Sequence, residues 1–111
     1  MVLSPGQSLA LTATERGVGP LVLRPAEPTG TPVVRIELKI EPSLGTLLTI
    51  TNPFTKPLVY RAGIDRGDGR FEVTSTCPVR PGMFTVEHWP ARLTRVAVTE
   101  FALVDGITGC R

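Results

Sequence analysis

The sequence predicts an all-β domain made of two packed antiparallel sheets. Residues 33–40 alternate aliphatic and charged side chains, which puts the aliphatic ones on one face of an extended strand. The 11 glycines and 11 prolines separate short apolar runs, as in domains whose strands are joined by tight turns. No apolar pattern with helical spacing extends over a useful length. A chain of 111 residues suffices for one hydrophobic core, so we expect a single domain over residues 1–111.

The first predicted strand covers residues 8–14, where leucines alternate with polar or small residues. A glycine-containing turn follows, and residues 21–23 are predicted to form a short second strand. Residues 24–32 contain three prolines, and proline has no N–H to donate to a neighbouring strand. We therefore expect this segment to be a loop or an edge crossing outside the sheet interior.

Three strands are predicted in the middle of the chain, over residues 33–40, 46–52 and 58–64. Their aliphatic residues fall at alternate positions, so each strand has one apolar face. The five residues after the first of these strands have the length of a hairpin turn, and two prolines interrupt the chain after the second. Residues 65–69 predict another hairpin turn, because Asp-Gly supplies the positive φ angles that tight turns need.

Two further strands are predicted over residues 70–77 and 83–89, again from alternating side chains. We assign the apolar side of each alternation to the core, so that Trp89 faces the other way. The residues predicted to share the inner faces are Phe71, Val73, Ser75, Cys77, Phe84 and Val86.

The last predicted strand, residues 93–104, changes phase along its length. Val96 and Val98 share one parity, whereas Phe101 and Leu103 share the other. A one-residue change of phase indicates a β-bulge or a strand that leaves one sheet for its partner. Seven to eight strands with regular turns predict a two-sheet sandwich, with a single sheet closed on itself as the alternative.

Charge and hydropathy narrow the possible partners. The net charge is +2 and the basic residues are interleaved with acidic ones, so we expect no nucleic-acid partner. No apolar run approaches the roughly 18 to 20 residues that span a bilayer.

The first residues lack the features of a signal peptide, which leaves a cytosolic protein or an exported domain whose signal has been removed. Ten arginines against two lysines hint at a bacterial source.

The two cysteines favour an exported protein. Cys77 and Cys110 are accompanied by one histidine and by no CxxC motif, which is too few ligands for a structural zinc site. We predict that they form a disulfide, which implies the periplasm or the extracellular space. If the cysteines are unpaired, the cytoplasm is the expected compartment.

Catalysis and metal binding are not expected. The single histidine, His88, is predicted at a strand end, and no GxSxG motif is present. Asp65, Asp68 and Glu72 lie on or beside a predicted exposed turn, where burial would not raise a carboxyl pKa. They are also too few to form a calcium loop. We expect no cofactor and no metal.

Three loops carry the candidate binding residues, within residues 52–55, 65–69 and 88–92. The middle loop contains Arg66-Gly67-Asp68, the adhesion tripeptide, although turn chemistry alone explains these residues. Trp89 next to arginine has the composition of an interface hot spot, and the alternative is a Trp that caps the open end of the sandwich. The candidate residues are Asn52, Phe54, Arg66, Asp68, His88, Trp89 and Arg92.

Two family resemblances rest on these segments. The run of residues 48–60, Leu-Thr-Ile-Thr-Asn-Pro-(x)₃-Pro-Leu-Val-Tyr, resembles a unit of bacterial immunoglobulin-like envelope domains. That resemblance implies an immunoglobulin-like sandwich that serves as a binding module. The motifs Asn-Pro-Phe-Thr at 52–55, Gly-Asp-Gly at 67–69 and Trp-Pro at 89–90 resemble the three inhibitory loops of chagasin-type cysteine-protease inhibitors, which are also immunoglobulin-like.

Together these features predict a non-catalytic module for protein–protein recognition or assembly in a bacterial cell envelope. It would act through its loops or through an edge strand, because an open sandwich exposes main-chain groups that another chain can pair with. An edge strand also offers a route to self-association, as in a purely structural subunit. The alternative function is loop-based protease inhibition.

Overall fold

A computed structural model describes residues 1–26, 32–106 and 109–110, and these ranges contain ten β-strands and no helix. Within them, no helix has the length and apolar character needed to cross a membrane. The strands are β1 (Val2–Leu3), β2 (Ser8–Thr12), β3 (Gly19–Pro20), β4 (Arg24–Pro25), β5 (Val34–Glu41), β6 (Gly45–Thr51), β7 (Leu58–Asp65), β8 (Glu72–Thr74), β9 (Phe84–Trp89) and β10 (Arg95–Leu103).

The strands form two antiparallel sheets, which confirms the predicted sandwich and excludes the single closed sheet. Sheet A has the order β1-β10-β7-β8, and β3 also pairs with β10, on the side that β1 occupies. Sheet B has the order β4-β2-β5-β6-β9. Ten strands exceed the seven to eight predicted, because two-residue strands leave no periodic signal in a sequence.

The core lies between the sheets and follows the predicted alternation. Every second residue is buried along β6 and β7 and over residues 34–38 of β5, where charged side chains lie between the buried ones. Burying a large aliphatic side chain contributes roughly 1.5 to 3 kcal/mol, so this alternation supplies most of the driving force for the fold. The largest fully buried side chains are Leu3, Val34, Ile36, Leu38, Leu48, Ile50, Leu58, Ile64, Val79, Val96, Val98 and Leu103.

The prediction of a strand at residues 21–23 is wrong, because this segment forms no strand. The chain there crosses from β3 in sheet A to β4 in sheet B. Leu21 and Leu23 pack against the core and Val22 is exposed, so the alternation that suggested a strand is present. The alternation arises because the segment crosses from one sheet to the other. Its main chain does not form a continuous ladder with either sheet.

The phase change predicted near the C-terminus is confirmed as a β-bulge. The register of β10 against β7 shifts between Thr99 and Ala102, and Glu100 adopts a φ of 56°. The bulge lets Val98 and Phe101 both face the core despite their opposite parity.

The inner face predicted for β9 is wrong. Its pairing with β6 sets Glu87 opposite Leu48 and Trp89 opposite Thr46, so these two side chains are on the inner face. Phe84 and Val86 are exposed instead. A period of two identifies an apolar face but not the side of the sheet on which the core lies.

The inner face predicted for residues 70–77 is wrong in the same way. Phe71 and Val73 are exposed, with Val73 the more exposed of the two, whereas Thr76 is buried. The Thr76 hydroxyl donates to the Tyr60 carbonyl oxygen at 2.8 Å, which satisfies a polar group inside the sandwich. The ring of Phe71 lies 4.7 Å beneath the guanidinium carbon of Arg95.

Candidate functional site

The two ends of the sandwich divide the predicted binding loops. At one end, Thr94 N donates to the Asp65 carbonyl oxygen at 2.8 Å, which joins the loop at 65–71 to the loop at 90–94. At the other end, Asn52 N donates to the Met83 carbonyl oxygen at 2.8 Å. β6 and β7 connect the two ends, and strands of that length separate them by roughly 20 to 25 Å. The structure therefore brings two of the three loops together and leaves the third at the opposite end.

Asn52 and Phe54, in the isolated loop, are buried and structural. The Asn52 side-chain amide donates to the carbonyl oxygens of Lys56 and Val79 at 2.8 and 2.9 Å, and its own oxygen accepts from Phe54 N at 2.8 Å. Phe54 belongs to the core cluster. These two side chains hold the loop in place and offer no free surface to a partner.

Asp65 organises the loop at 65–71 from a buried position, in contrast to the exposed turn that was predicted. Its carboxylate accepts from Gly67 N at 2.8 Å, from Gly69 N at 3.2 Å and from the Arg95 guanidinium at 2.8 Å. The hydrogen bond from Gly67, followed by that from Arg95, lowers the pKa of the Asp65 carboxyl below its ordinary value. The buried carboxylate thus holds the loop rigid.

Arg66 and Asp68 are exposed at the tip of this loop. Arg66 approaches Glu72 at 3.4 Å, and Asp68 accepts from Arg70 N at 3.0 Å. An exposed ion pair such as Arg66–Glu72 contributes little to stability. Both side chains are accessible, but local partners account for each of them.

Trp89 caps the end of the sandwich that carries the loops at 65–71 and 90–94, next to the second of these loops. Its side chain is partly buried and packs against the core. Its carbonyl oxygen lies so close to Gly45 that any residue with a Cβ at position 45 would collide with it. His88 is exposed with its ring against the Leu44 carbonyl oxygen, and Arg92 is exposed in the following loop. Of the two interpretations of Trp89, the structure matches the cap.

A polar cluster closes the flank of the sandwich between β8 and β9. The Glu87 carboxylate accepts from the Tyr60 hydroxyl at 3.2 Å and from Cys77 N at 2.9 Å. Burial and the nearby carboxylate raise the pKa of Tyr60, so its hydroxyl stays protonated and donates. Each polar group in this cluster has a partner, as expected for a structural network.

The predicted disulfide is confirmed. Cys77 and Cys110 are bonded across a sequence separation of 33, and neither is a free thiol. The bond ties the end of the chain to the segment that crosses from β8 to β9. Cys77 is therefore not available as a nucleophile. Among the described residues, no group of three or more His, Cys, Asp or Glu side chains gathers as a metal site would require.

The outer edge of β9 is an exposed surface formed by a strand and not by the three predicted loops. β9 pairs with β6 on one side, and no other described strand pairs with its second side. Met83 is 56% exposed, Phe84 61% and Val86 46%, and they follow one another on or beside this edge. Apolar side chains beside unpaired main-chain groups are the composition of a strand-pairing site.

The other edges formed by described strands are protected. β4 consists only of Arg24 and Pro25, and β8 has three residues with Glu72 at its start. The remaining edge is made of β1 and β3, which have two residues each. Short strands, proline and charge are the usual means by which proteins block edge pairing. β9, with six residues, has neither proline nor an outward fixed charge.

The sequence contains the signal for this edge, but the signal has the pattern of a core strand. An apolar alternation in Phe84 and Val86 reads the same whether the face is buried or exposed. Only the register with β6 shows that it points outward.

The chain matches no known protein-family model, no curated protein and no solved structure.

Proposed function

We propose that this chain is a non-catalytic module for protein–protein recognition or assembly that pairs the open edge of β9 with a strand of another polypeptide chain. The observation that carries the proposal is the exposure of Met83, Phe84 and Val86 on the longest unprotected edge of the described sandwich. Strand addition gains main-chain hydrogen bonds from the edge and apolar burial from the side chains beside it.

The main-chain geometry of β9 supports strand addition. Asn52 N donates to the Met83 carbonyl oxygen, and Gly82 N donates to the Asn52 carbonyl oxygen at 2.9 Å. In an antiparallel ladder, the main-chain groups of successive residues point to alternate sides of the strand. Those of Phe84, Val86 and His88 therefore point away from β6.

The edge is held rigid, which favours binding. Glu87 fixes the inner side of β9 to Tyr60 and Cys77, and Trp89 anchors its end in the core. A preordered strand loses little conformational entropy when another strand pairs with it. The exposed edge of β9 is therefore already ordered before another strand binds to it.

The compartment and family belong to the same proposal. The disulfide favours the periplasm or the extracellular space, which fits a component of a bacterial envelope. An immunoglobulin-like topology is supported by the pairing of β6 with β9 in one sheet and of β7 with β10 in the other.

Protease inhibition through three loops has no comparable support. Asn52 and Phe54 are buried at one end of the sandwich, whereas Asp68 and Trp89 belong to the other. Loops that enter one protease cleft must lie side by side. No observation favours this alternative.

Position-specific photo-crosslinking tests the proposal. A photoreactive phenylalanine analogue placed at Phe84 or Val86, in the cells that naturally make the protein, is expected to yield discrete adducts with a protein. The matched control position is Lys39, which is exposed on the same face of sheet B but on β5, a strand paired on both sides. Equal adducts from Lys39, or none from Phe84 and Val86, would contradict the proposal.

A further inference from the structure

We infer that the strand pairing with β9 is β9 of a second copy of this chain, in a two-fold antiparallel arrangement centred on Val86. This inference rests on the proposed function and adds the identity of the partner and the register. An interface of this kind is isologous, and the same groups are used on both copies.

The main-chain pattern selects the register. Only residues whose N–H and C=O groups point outward can exchange hydrogen bonds across the new interface, and these are Phe84, Val86 and His88. Centring the two-fold axis on Val86 sets Phe84 opposite the partner's His88 in both directions. This register uses every outward-facing residue of β9.

The side chains are compatible with this register. On the outer face, Val86 meets the partner's Val86, and Phe84 meets an imidazole ring, so no Asp, Glu, Lys or Arg side chain is brought against another. On the inner face, Thr85 lies opposite the partner's Glu87. The Glu87 carboxylate is already engaged by Tyr60 and Cys77 in its own copy, so it adds no free charge to the interface.

The shape of the apolar strip favours contact edge to edge. On the outer face of β6, Thr51 and Thr49 lie beside Phe84 and Val86, and Leu47 lies beside His88. The same face of β5 carries the charged Glu37 and Lys39. The apolar surface of Phe84 and Val86 therefore does not continue onto the neighbouring residues of β6, which are threonines. A second β9 places an equally apolar strip beside this one, so that the facing sides of both strips are removed from water.

The first experiment measures the mass of the full chain over a concentration series, by analytical ultracentrifugation with the disulfide intact. We expect a monomer–dimer equilibrium for the wild type, and a dimer dissociation constant at least tenfold larger for Val86→Lys, about 1.4 kcal/mol. The matched control is Val73→Lys, the same change at an exposed valine on β8 of sheet A, which should leave the equilibrium unchanged. Thermal unfolding of both variants verifies that each is folded.

The second experiment tests the register with single cysteines under mild oxidation. Val86→Cys should form a reductant-sensitive dimer, because facing Cα atoms in a bonded pair are about 5.5 Å apart, within disulfide range. Phe84→Cys alone should not, because its copies would be roughly 13 Å apart along the strands. A mixture of Phe84→Cys with His88→Cys should cross-link.

The outcomes separate this inference from the proposed function. A monomer up to about 1 mM whose Phe84 and Val86 positions cross-link to a different protein would overturn the inference and leave the proposed function standing. A dimer that Val86→Lys does not weaken, or a Val86→Cys variant that never cross-links, would also overturn the inference. Failure of Phe84 and Val86 to cross-link to any protein, including a second copy, would overturn both.

Discussion

The two edges of sheet B differ in every feature that controls strand pairing. β4 is two residues long, and its sequence is Arg24-Pro25. β9 is six residues long, has no proline, and turns its one carboxylate inward. Because both edges belong to one sheet and share one core, the difference shows that access to an edge is decided locally. Shortness, proline and charge close the edge at β4. β9 is longer and has no proline, and no second described strand pairs with its outer side.

The same two edges also differ in how they are attached to the rest of the molecule. β9 is connected to sheet A by the hydrogen bond that Glu87 accepts from Tyr60 of β7. Glu87 also accepts from Cys77 N, and the disulfide holds this segment, which leads into β9. In the described part of the chain, β4 pairs with β2 at Leu11 and Thr12, and Ala26 N donates to the Ala10 carbonyl oxygen. A rigid open edge suits recognition, whereas a short closed edge only completes the sheet.

Removing the disulfide should have the largest effect and should act on the β9 side. The double change Cys77→Ser with Cys110→Ser should lower the free energy of unfolding by about 3 to 4 kcal/mol, because the loop that it closes gains entropy when unfolded. Denaturant unfolding measures the loss. Hydrogen exchange should accelerate more at residues 77–89 than at Ser8–Thr12, and uniform acceleration would contradict a special attachment of β9.

Trp89→Ala should have the next largest effect, about 2 kcal/mol of lost stability, because its partly buried ring leaves a cavity at the end of the core. Phe84→Ala, on the same strand but facing outward, should change the stability of the monomer by no more than about 0.5 kcal/mol. Denaturant unfolding of dilute samples compares the two. Equal losses would show that the face of β9 was assigned wrongly.

Acid should weaken the fold through Asp65, away from both edges. Its pKa is lowered in the folded state, so its stabilising contribution is complete above the ordinary value of 3.8 and is lost as the pH falls below it. Asp65→Asn should remove this part of the acid sensitivity, and Asp68→Asn, at the exposed tip, should not. Thermal unfolding between pH 7 and pH 2 measures the difference, and matching profiles for the two variants would contradict it.

Pro25→Val should have the smallest effect and probes the closed edge. The change restores an N–H to β4 and should alter stability by no more than about 0.5 kcal/mol. We expect no new association, because a two-residue strand with Arg24 remains too short to pair with another chain. Sedimentation across a concentration series detects any association. If the Pro25→Val variant associates, the proline alone had blocked pairing at this edge.

The sequence predicted the parts of the fold that depend on burial. The alternation in residues 33–64 placed β5, β6 and β7 and their inner faces correctly, because strands in the middle of a sheet have one side against the core. The bulge in β10 and the disulfide were also predicted. A phase change and a pair of cysteines are signals within the chain itself.

The parts that failed depend on what lies opposite a strand. Phe84 and Val86 have the pattern of core residues, but Glu87 and Trp89 take the inner positions by bonding to Tyr60 and by capping the core. Asp65 belongs to a typical turn sequence, yet its carboxylate is buried and accepts a hydrogen bond from Arg95, 30 residues away. Which loops share an end follows from strand direction and pairing, and these are not visible in a local pattern.

The central claim is that β9 presents an open edge that another strand completes. Amide hydrogen exchange measured residue by residue by NMR tests it most directly. In the dilute protein, the amides of Thr85, Glu87 and Trp89 should exchange slowly, and those of Phe84, Val86 and His88 should exchange fast. On association the fast set should become protected. Protection of all these amides in the dilute monomer, or no change in the fast set on association, would contradict the claim.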